Sequence, residues 1–252
     1  MFRKMLLAVL AAAMVFISQV NAEETGILSD LGFEINGDAS VYTQYIWRGF
    51  VLDRDAVIQP SFYIGSPQTK LGKLKIGVWS SQPLQNNDDL SSEEFDYIID
   101  YTYDFDFLSA SLGHTYYDFV GTHTFSREFY VGASFGKLPL APSLYFYRDY
   151  GKSSSGGGLG NYLLLSVSHS IPIKSTPFSF DLGAHVGYNH NLFMSGDGGD
   201  VGLKAGVNMP LTGNLSFVPN VNYSITYGDL HDKDVANQKN RFFGGGTLNY
   251  SF

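Results

Sequence analysis

The feature that most constrains the fold is a two-residue alternation of side-chain character, clearest in the stretch EFDYIIDYTYDF at 94–105. Because successive side chains of a β-strand point to opposite faces, this stretch predicts a strand with one apolar, aromatic face and one mostly acidic face. Phe95, Tyr97 and Ile99 fall on the first face, and Asp96 and Asp100 fall on the second. Such a strand would separate an apolar medium from an aqueous one.

The same period recurs along the chain, and no segment after residue 22 keeps the apolar spacing of an amphipathic helix over three turns. We predict 12 strands, near 38–48, 55–65, 73–81, 94–105, 108–118, 127–136, 140–149, 160–170, 177–189, 200–209, 214–227 and 241–252. Short links such as DFDF and PLTGN alternate with links that are mostly longer and polar, FVGTHTFS among them. This pattern predicts a closed antiparallel transmembrane barrel with both termini at the short-turn, periplasmic end.

In a barrel of this kind the Phe95 face contacts lipid and the Asp96 face contacts the lumen. The wall must close on itself, since every backbone polar group in hydrocarbon needs an internal partner. Aromatic girdles are expected at the two interfaces, from Tyr101, Tyr103 and Phe105 at the periplasmic end and from Tyr45, Trp47 and Phe129 at the outer end. A secreted β-sandwich is the alternative, because it also has alternating strands and polar loops. Glycine and serine on the polar faces and the asymmetry of the links favour the barrel.

The two ends of the chain carry export and assembly features. Residues 1–22 combine Arg3 and Lys4, an apolar run from Met5 to Ile17 and a small-residue site at Ala22, and this is typical of a secretory signal peptide. An uncleaved anchor is the alternative, although the run is short for a membrane span. We predict a periplasmic segment at 23–36 and the barrel at 37–252.

The terminal GTLNYSF alternates apolar residues and ends on Phe252. It resembles the signal by which barrel-assembly machinery recognises outer-membrane barrels. The expected location is therefore the outer membrane of a Gram-negative cell, with outer-membrane lipid and that machinery as partners.

Composition narrows the function. The chain has no cysteine, so disulfides and thiolate metal sites are excluded. Removing residues 1–22 leaves 14 Lys and Arg against 24 Asp and Glu, which gives no basic surface for nucleic acid. No cofactor or metal site is expected. The acidic stretch 86–94 and the glycine-rich links are interpreted as solvated loops.

The stretch 38–65 resembles the beginning of TorF-family porins. The similarity lies in Tyr45, Trp47, Arg48 and Gly49 of the motif YIWRG, followed by AVIQP at 56–60 and GVWSSQ at 77–82. It extends over roughly residues 38–120. The resemblance implies an outer-membrane barrel that acts as a porin.

Charged residues on the polar faces are the candidate functional site. The predicted pore-lining residues are Arg48, Lys75, Asp96, Asp100, Glu128, Asp181 and Lys204. Because carboxylates outnumber the bases, they predict a narrow, weakly cation-preferring channel for passive diffusion of small solutes. The alternative is that the charges pair across an occluded lumen, in a structural or adhesive barrel whose long extracellular loops bind a partner. Tyr42, Tyr63, Tyr130, Tyr145 and Tyr147 would narrow the lumen further.

Arg48 has two possible roles. It could help to bind anions near the outer mouth, or it could clamp the first loop to a carboxylate in the lumen. An enzyme is not expected. His169 and Ser170 are adjacent in a predicted strand, so they point to opposite faces and cannot form a nucleophile and base pair with each other.

Overall fold

The structure is a computed structural model that describes residues 30–85 and 93–251. The described chain is all-β, with one short 3₁₀ turn at Ser153–Ser155. The strands are β1 Glu34–Tyr42, β2 Tyr45–Trp47, β3 Phe50–Asp53, β4 Val57–Gly65, β5 Lys73–Pro83, β6 Glu94–Asp104, β7 Ser109–Phe119, β8 Thr124–Ser134, β9 Ser143–Asp149, β10 Asn161–Pro172, β11 Ser179–His190, β12 Asp197–Pro210, β13 Leu215–Gly228 and β14 Arg241–Ser251. No helix in these residues is long and apolar enough to cross a membrane.

Twelve of these strands form a closed antiparallel barrel, in the order β1, β14, then stepwise down to β4. Closure occurs at β1, which pairs with β4 through Ser40 and Gln59 and with β14 through Ser40 and Thr247. The predicted fold class is confirmed. The β-sandwich alternative is wrong, because the twelve-stranded sheet closes on itself and its apolar face points outward, not toward a second sheet.

The wall has an apolar outside and a polar inside. Each barrel strand carries at least one large apolar side chain that is exposed, and most of the strongly buried side chains are polar or charged. In β6, Tyr97 and Ile99 are 50% and 46% exposed, whereas Asp96 and Asp100 are 8% and 7% exposed. This is the reverse of a water-soluble domain, in which large apolar side chains are buried. The alternation predicted for 94–105 therefore separates lipid from lumen.

The two ends of the barrel differ. Both β1 and β14 have their chain-terminal ends at the same rim, which we call the terminal end. The other rim, the loop end, carries the links 43–56, 120–123, 150–160, 191–196 and 229–240, together with residues 84–85 and 93. Short turns face the periplasm in barrels of this type, so the loop end faces outward. One predicted long link, FVGTHTFS, is instead a tight turn, closed by a hydrogen bond from the Thr122 amide to the Phe119 carbonyl.

The first predicted strand, 38–48, is only half correct. The wall strand β1 ends at Tyr42, and residues 43–56 fold into the lumen with β2 and β3 paired as a separate hairpin. As a result, Tyr45 and Trp47 do not belong to the outer aromatic girdle. Phe129 does face outward, as do Tyr101, Tyr103 and Phe105 at the other end.

Some predictions concern residues outside the described ranges. The signal peptide at 1–22, half of the periplasmic segment at 23–36 and Phe252 are among them, as is most of the acidic stretch 86–94. β1 begins at Glu34, three residues before the predicted start of the barrel.

Candidate functional site

The hairpin β2–β3 is an inward-folded segment that constricts the lumen near the loop end. Its turn is Arg48-Gly49, and both residues have positive φ, 49° and 81°, as a two-residue hairpin turn of type I′ requires. Glycine adopts this conformation without strain. The turn therefore points the Arg48 side chain across the lumen toward the wall.

Arg48 is bound to the far wall by a bidentate ion pair. Its Nη1 and Nη2 donate to the two oxygens of Glu128, at 2.6 and 2.8 Å. The Tyr117 hydroxyl donates to the same carboxylate at 2.9 Å. Glu128 is 1% exposed and the Arg48 side chain is 10% exposed. Of the two roles considered for Arg48, the clamp on the first loop is confirmed.

Aromatic rings surround the Arg48 guanidinium. Its central carbon lies 4.4 Å from the ring centroid of Trp47, 4.3 Å from that of Tyr147 and 4.5 Å from that of Tyr162. Such cation–π contacts are strongest where water is excluded. The predicted narrowing tyrosine Tyr147 thus holds the clamp in place as well as facing the lumen.

The flanking residues of the hairpin fix its position. The Tyr45 hydroxyl donates to Glu94 at 3.0 Å, and its ring packs on Trp79 at 5.6 Å. Trp47 makes edge contacts with Tyr117 at 6.0 Å and Phe193 at 5.7 Å. Tyr45 and Trp47, which the sequence placed at a lipid interface, therefore lie within the lumen, and Tyr45 is buried there.

The charges around the hairpin keep Arg48 positively charged and Tyr45 neutral, as their contacts require. Burial on its own lowers the pKa of Arg48, but the Glu128 carboxylate outweighs it and the pKa is raised, so the guanidinium stays charged. Burial and the neighbouring Glu94 carboxylate raise the pKa of Tyr45 well above its ordinary value. Tyr45 is therefore a neutral donor at physiological pH.

Other loops pack over the hairpin at the loop end. A Cβ built on Gly49 would lie 2.7 Å from Leu230 Cδ2 and 2.9 Å from Asp200 Cβ. The Val51 amide donates to Gln238 at 3.0 Å. Leu192 and Leu230, from the two neighbouring loops, are fully buried. The hairpin and these loops together form the constriction, which we define as residues 43–56 with their contacts in 191–196 and 229–240.

The remaining predicted site residues lie along the lumen face at different depths. Lys75 approaches Asp100 at 4.0 Å, and Asp100 accepts a hydrogen bond from Tyr130 at 2.6 Å. Asp181 accepts hydrogen bonds from Ser170 at 2.6 Å and Ser179 at 2.9 Å.

Two further members of the set have no close ion pair. Asp96 is buried below Glu94, and its Oδ1 has no hydrogen-bond partner. Lys204, between Gly183 and Asn222 in the register, is exposed. Among the seven predicted residues the structure joins only Arg48 with Glu128 and Lys75 with Asp100.

The lumen face has buried side chains at the constriction and some exposed ones nearer the terminal end. Glu94, Glu128 and Asp200 are buried near the constriction, whereas Lys204 and Asp104 are exposed further down. We call the exposed part of the lumen face on the terminal side, which includes Lys204 and Asp104, the vestibule.

One lumen cluster was missed by the sequence reasoning. Asp200 accepts a hydrogen bond from the Tyr162 hydroxyl at 2.7 Å, and its other oxygen lies 2.8 Å from His185 Nε2. Tyr162 also contacts Arg48, so this cluster continues the clamp. The alternation of 200–209 and 177–189 placed Asp200 and His185 on polar faces, but no local signal showed that the two strands would bring them together.

His169 and Ser170 lie on opposite faces of β10, as their adjacency in the sequence predicted. Ser170 donates to Asp181 on the lumen side, while His169 lies on the opposite face of β10. Within the described residues, no three histidine or carboxylate side chains form a group that could hold a metal ion.

A closed antiparallel barrel with an even strand number, an apolar outer surface and a polar lumen is the architecture of outer-membrane proteins. The chain is therefore a β-barrel of the outer membrane.

The chain is similar to several solved structures. The KdgM porin superposes with a TM-score of 0.49 and 11% identity, over 87% of this chain and 99% of that one. An outer-membrane channel from Pseudomonas putida F1 gives a TM-score of 0.49 and 10% identity, over 88% and 96% of the two chains. The NanC porin gives 0.46 and 9%, over 87% and 98%. No family model and no curated protein matches the sequence, so the similarity to TorF-family porins stays a prediction.

Proposed function

We propose that the barrel is a narrow channel for passive diffusion of small hydrophilic solutes, with a weak preference for cations. The observation that carries the proposal is the hydrophilic lumen face, which opens into a water-accessible vestibule below a constriction made by a single inward-folded hairpin. A barrel that served only as a scaffold would have no need of an accessible polar interior.

The charges around the constriction support the cation preference. Glu94, Asp96, Asp100 and Asp200 line the wall there, and the positive charge of Arg48 is balanced by Glu128. Lys75 lies beside Asp100 at 4.0 Å and offsets part of the negative charge. Clusters of carboxylates raise the local concentration of cations and repel anions.

The alternative, a barrel with an occluded lumen whose loops bind a partner, is favoured by one observation. Leu192 and Leu230 are fully buried where the loops pack over the hairpin. This packing gives the loop end a fixed surface, as a binding function would need.

Planar bilayer recordings distinguish the two functions. The purified full-length barrel is inserted into a bilayer, and single-channel conductance and reversal potential are measured in a KCl gradient. If the barrel is a channel, we expect discrete conductance steps and a reversal potential whose sign shows a preference for K⁺ over Cl⁻. A variant lacking 45–53, the hairpin, should conduct more than wild type because the constriction is removed. If neither protein conducts after insertion has been verified, the occluded barrel is the better account.

A further inference from the structure

Two arginines lie on the outer face of the barrel near the loop end. Arg127 of β8 pairs with Tyr116, and Arg148 of β9 pairs with Phe129, and these partners belong to the outward face. In the same register, Arg127 and Arg148 are diagonal neighbours on adjacent strands. Their Cβ atoms are therefore about 7–8 Å apart, within reach of two long side chains converging on one group.

Within the part of the chain that the structure describes, the side-chain contacts of Arg127 and Arg148 include no carboxylate that would balance their positive charge. Arg127 stacks on Phe125 at 5.6 Å and on Tyr150 at 5.2 Å, and its Nε is buried with no hydrogen-bond partner. Arg148 Nη1 donates to Asn161 at 3.1 Å. Neither arginine has an ion pair among the described residues, and Asp118, a carboxylate on the same outer face, makes none with them.

The level of the arginines places them at the edge of the bilayer. On the terminal side of both residues, the same two strands expose Val131, Leu144 and Phe146. These side chains form part of the apolar belt, so Arg127 and Arg148 lie where acyl chains give way to head groups. Arginine on the lipid face is costly at the bilayer centre and is tolerated near the interface, where its charge can be solvated or paired.

We propose that Arg127 and Arg148 bind a phosphate monoester on a lipid of the outer leaflet. The guanidinium fork matches the geometry of phosphate oxygens and forms charge-assisted hydrogen bonds with them. A monoester carries up to two negative charges and three free acceptor oxygens, which suits two arginines that have no carboxylate partner. Tyr150 borders the site, and its hydroxyl lies 2.7 Å from His114 Nε2. This site lies on the lipid side of the wall, so it does not depend on channel function.

The test measures lipid binding to the full-length barrel in a nonionic detergent by native mass spectrometry. The probes are diphosphorylated lipid A, its dephosphorylated form and phosphatidylglycerol, a phosphodiester. We expect lipid A to bind at least about tenfold more tightly than either other lipid, since charge-assisted contacts to the monoester are present only there. Equal affinity for the dephosphorylated lipid, or for phosphatidylglycerol, would overturn the proposal.

Two double variants test whether the lipid phosphate binds at Arg127 and Arg148. Arg127→Gln/Arg148→Gln should lose about tenfold in lipid A affinity, since both charge-assisted contacts are removed. The matched control, Lys70→Gln/Lys174→Gln, removes the same charge from exposed links at the terminal end and should bind as wild type. Folding is checked by heat-modifiability. If the glutamine variant does not fold, comparing the binding of phosphorylated and dephosphorylated lipid A to the wild-type protein still tests the proposal.

Inorganic phosphate distinguishes a lipid site from a site for free anions. At 10 mM phosphate in the buffer (a test condition), the proposal expects lipid A to remain bound, because the acyl chains contribute to affinity. Full displacement at that concentration would contradict the proposal.

Discussion

Arg48 and Glu128, 80 residues apart in sequence, form a bidentate ion pair across the lumen at 2.6 and 2.8 Å. The pair joins the turn of the inward-folded hairpin to β8 on the far side of the barrel. Because Glu128 is almost fully buried, each partner depends on the other to compensate its charge. Several expected outcomes depend on this link.

Replacing Arg48 with alanine should release the hairpin. The Glu128 carboxylate is then buried without its counter-charge, and the loss of one partner of a buried pair costs about 3–5 kcal/mol. We expect a lower free energy of unfolding in urea and a larger, noisier single-channel conductance. Lys233→Ala, in the exposed part of the 229–240 link, is the control and should change neither.

A double-mutant cycle isolates the pair. Arg48→Ala/Glu128→Ala should be less destabilised than the sum of the two single variants, with a coupling energy of about 0.5–3 kcal/mol. Additive effects would show that the two groups stabilise the barrel independently.

Replacing Gly49 with alanine tests the turn. Gly49 has φ 81°, and the added Cβ would lie 2.7 Å from Leu230 Cδ2. Backbone strain of this kind costs about 1–3 kcal/mol, so thermal unfolding should occur at a lower temperature. Gly136→Ala is the matched control, because a Cβ there meets nothing within 4 Å. Equal stability of both variants would contradict the packing of the hairpin against Leu230.

Replacing Tyr45 with phenylalanine removes one hydroxyl that donates to buried Glu94 at 3.0 Å. An acceptor left unsatisfied in a buried site costs about 1–3 kcal/mol. The variant should therefore unfold at a lower urea concentration than wild type. Tyr223→Phe, on the lipid face, makes the same chemical change at an exposed ring and should unfold as wild type does.

The two faces of β6 can be compared at neighbouring positions. Ile99→Arg puts a charge on the lipid face and should cost about 2–4 kcal/mol at the bilayer midplane. Ile98→Arg faces the lumen between Asp96 and Asp100 and should cost less. Urea unfolding from lipid vesicles measures both. The reverse order of stability would disprove the outward assignment of Ile99.

Neutralising Asp100 should weaken the cation preference. Asp100→Asn removes one carboxylate near the constriction and leaves Lys75, at 4.0 Å from it, without its ion-pair partner. The reversal potential in a KCl gradient should move toward zero, because fewer fixed negative charges line the lumen. Asp104→Asn is the control in the vestibule, where the carboxylate is exposed, and its shift should be smaller.

The sequence determined the wall of the barrel and the side of each residue in it. Period-two alternation is a local property of the strand backbone, so Tyr97 and Asp96 could be assigned to opposite faces without knowing their partners. The alternating links and the even number of strands then predicted a closed barrel with both termini at one end.

Only the tertiary structure determined the constriction. Alternation continues past Tyr42 through Tyr45 and Trp47, so a strand in the wall and a hairpin in the lumen have the same local pattern. The choice between them depends on Glu94 and Glu128, which are far away in sequence and meet the loop only after the barrel closes. A buried ion pair forms only when both partners are close together, and closing the sheet brings Glu128 to Arg48.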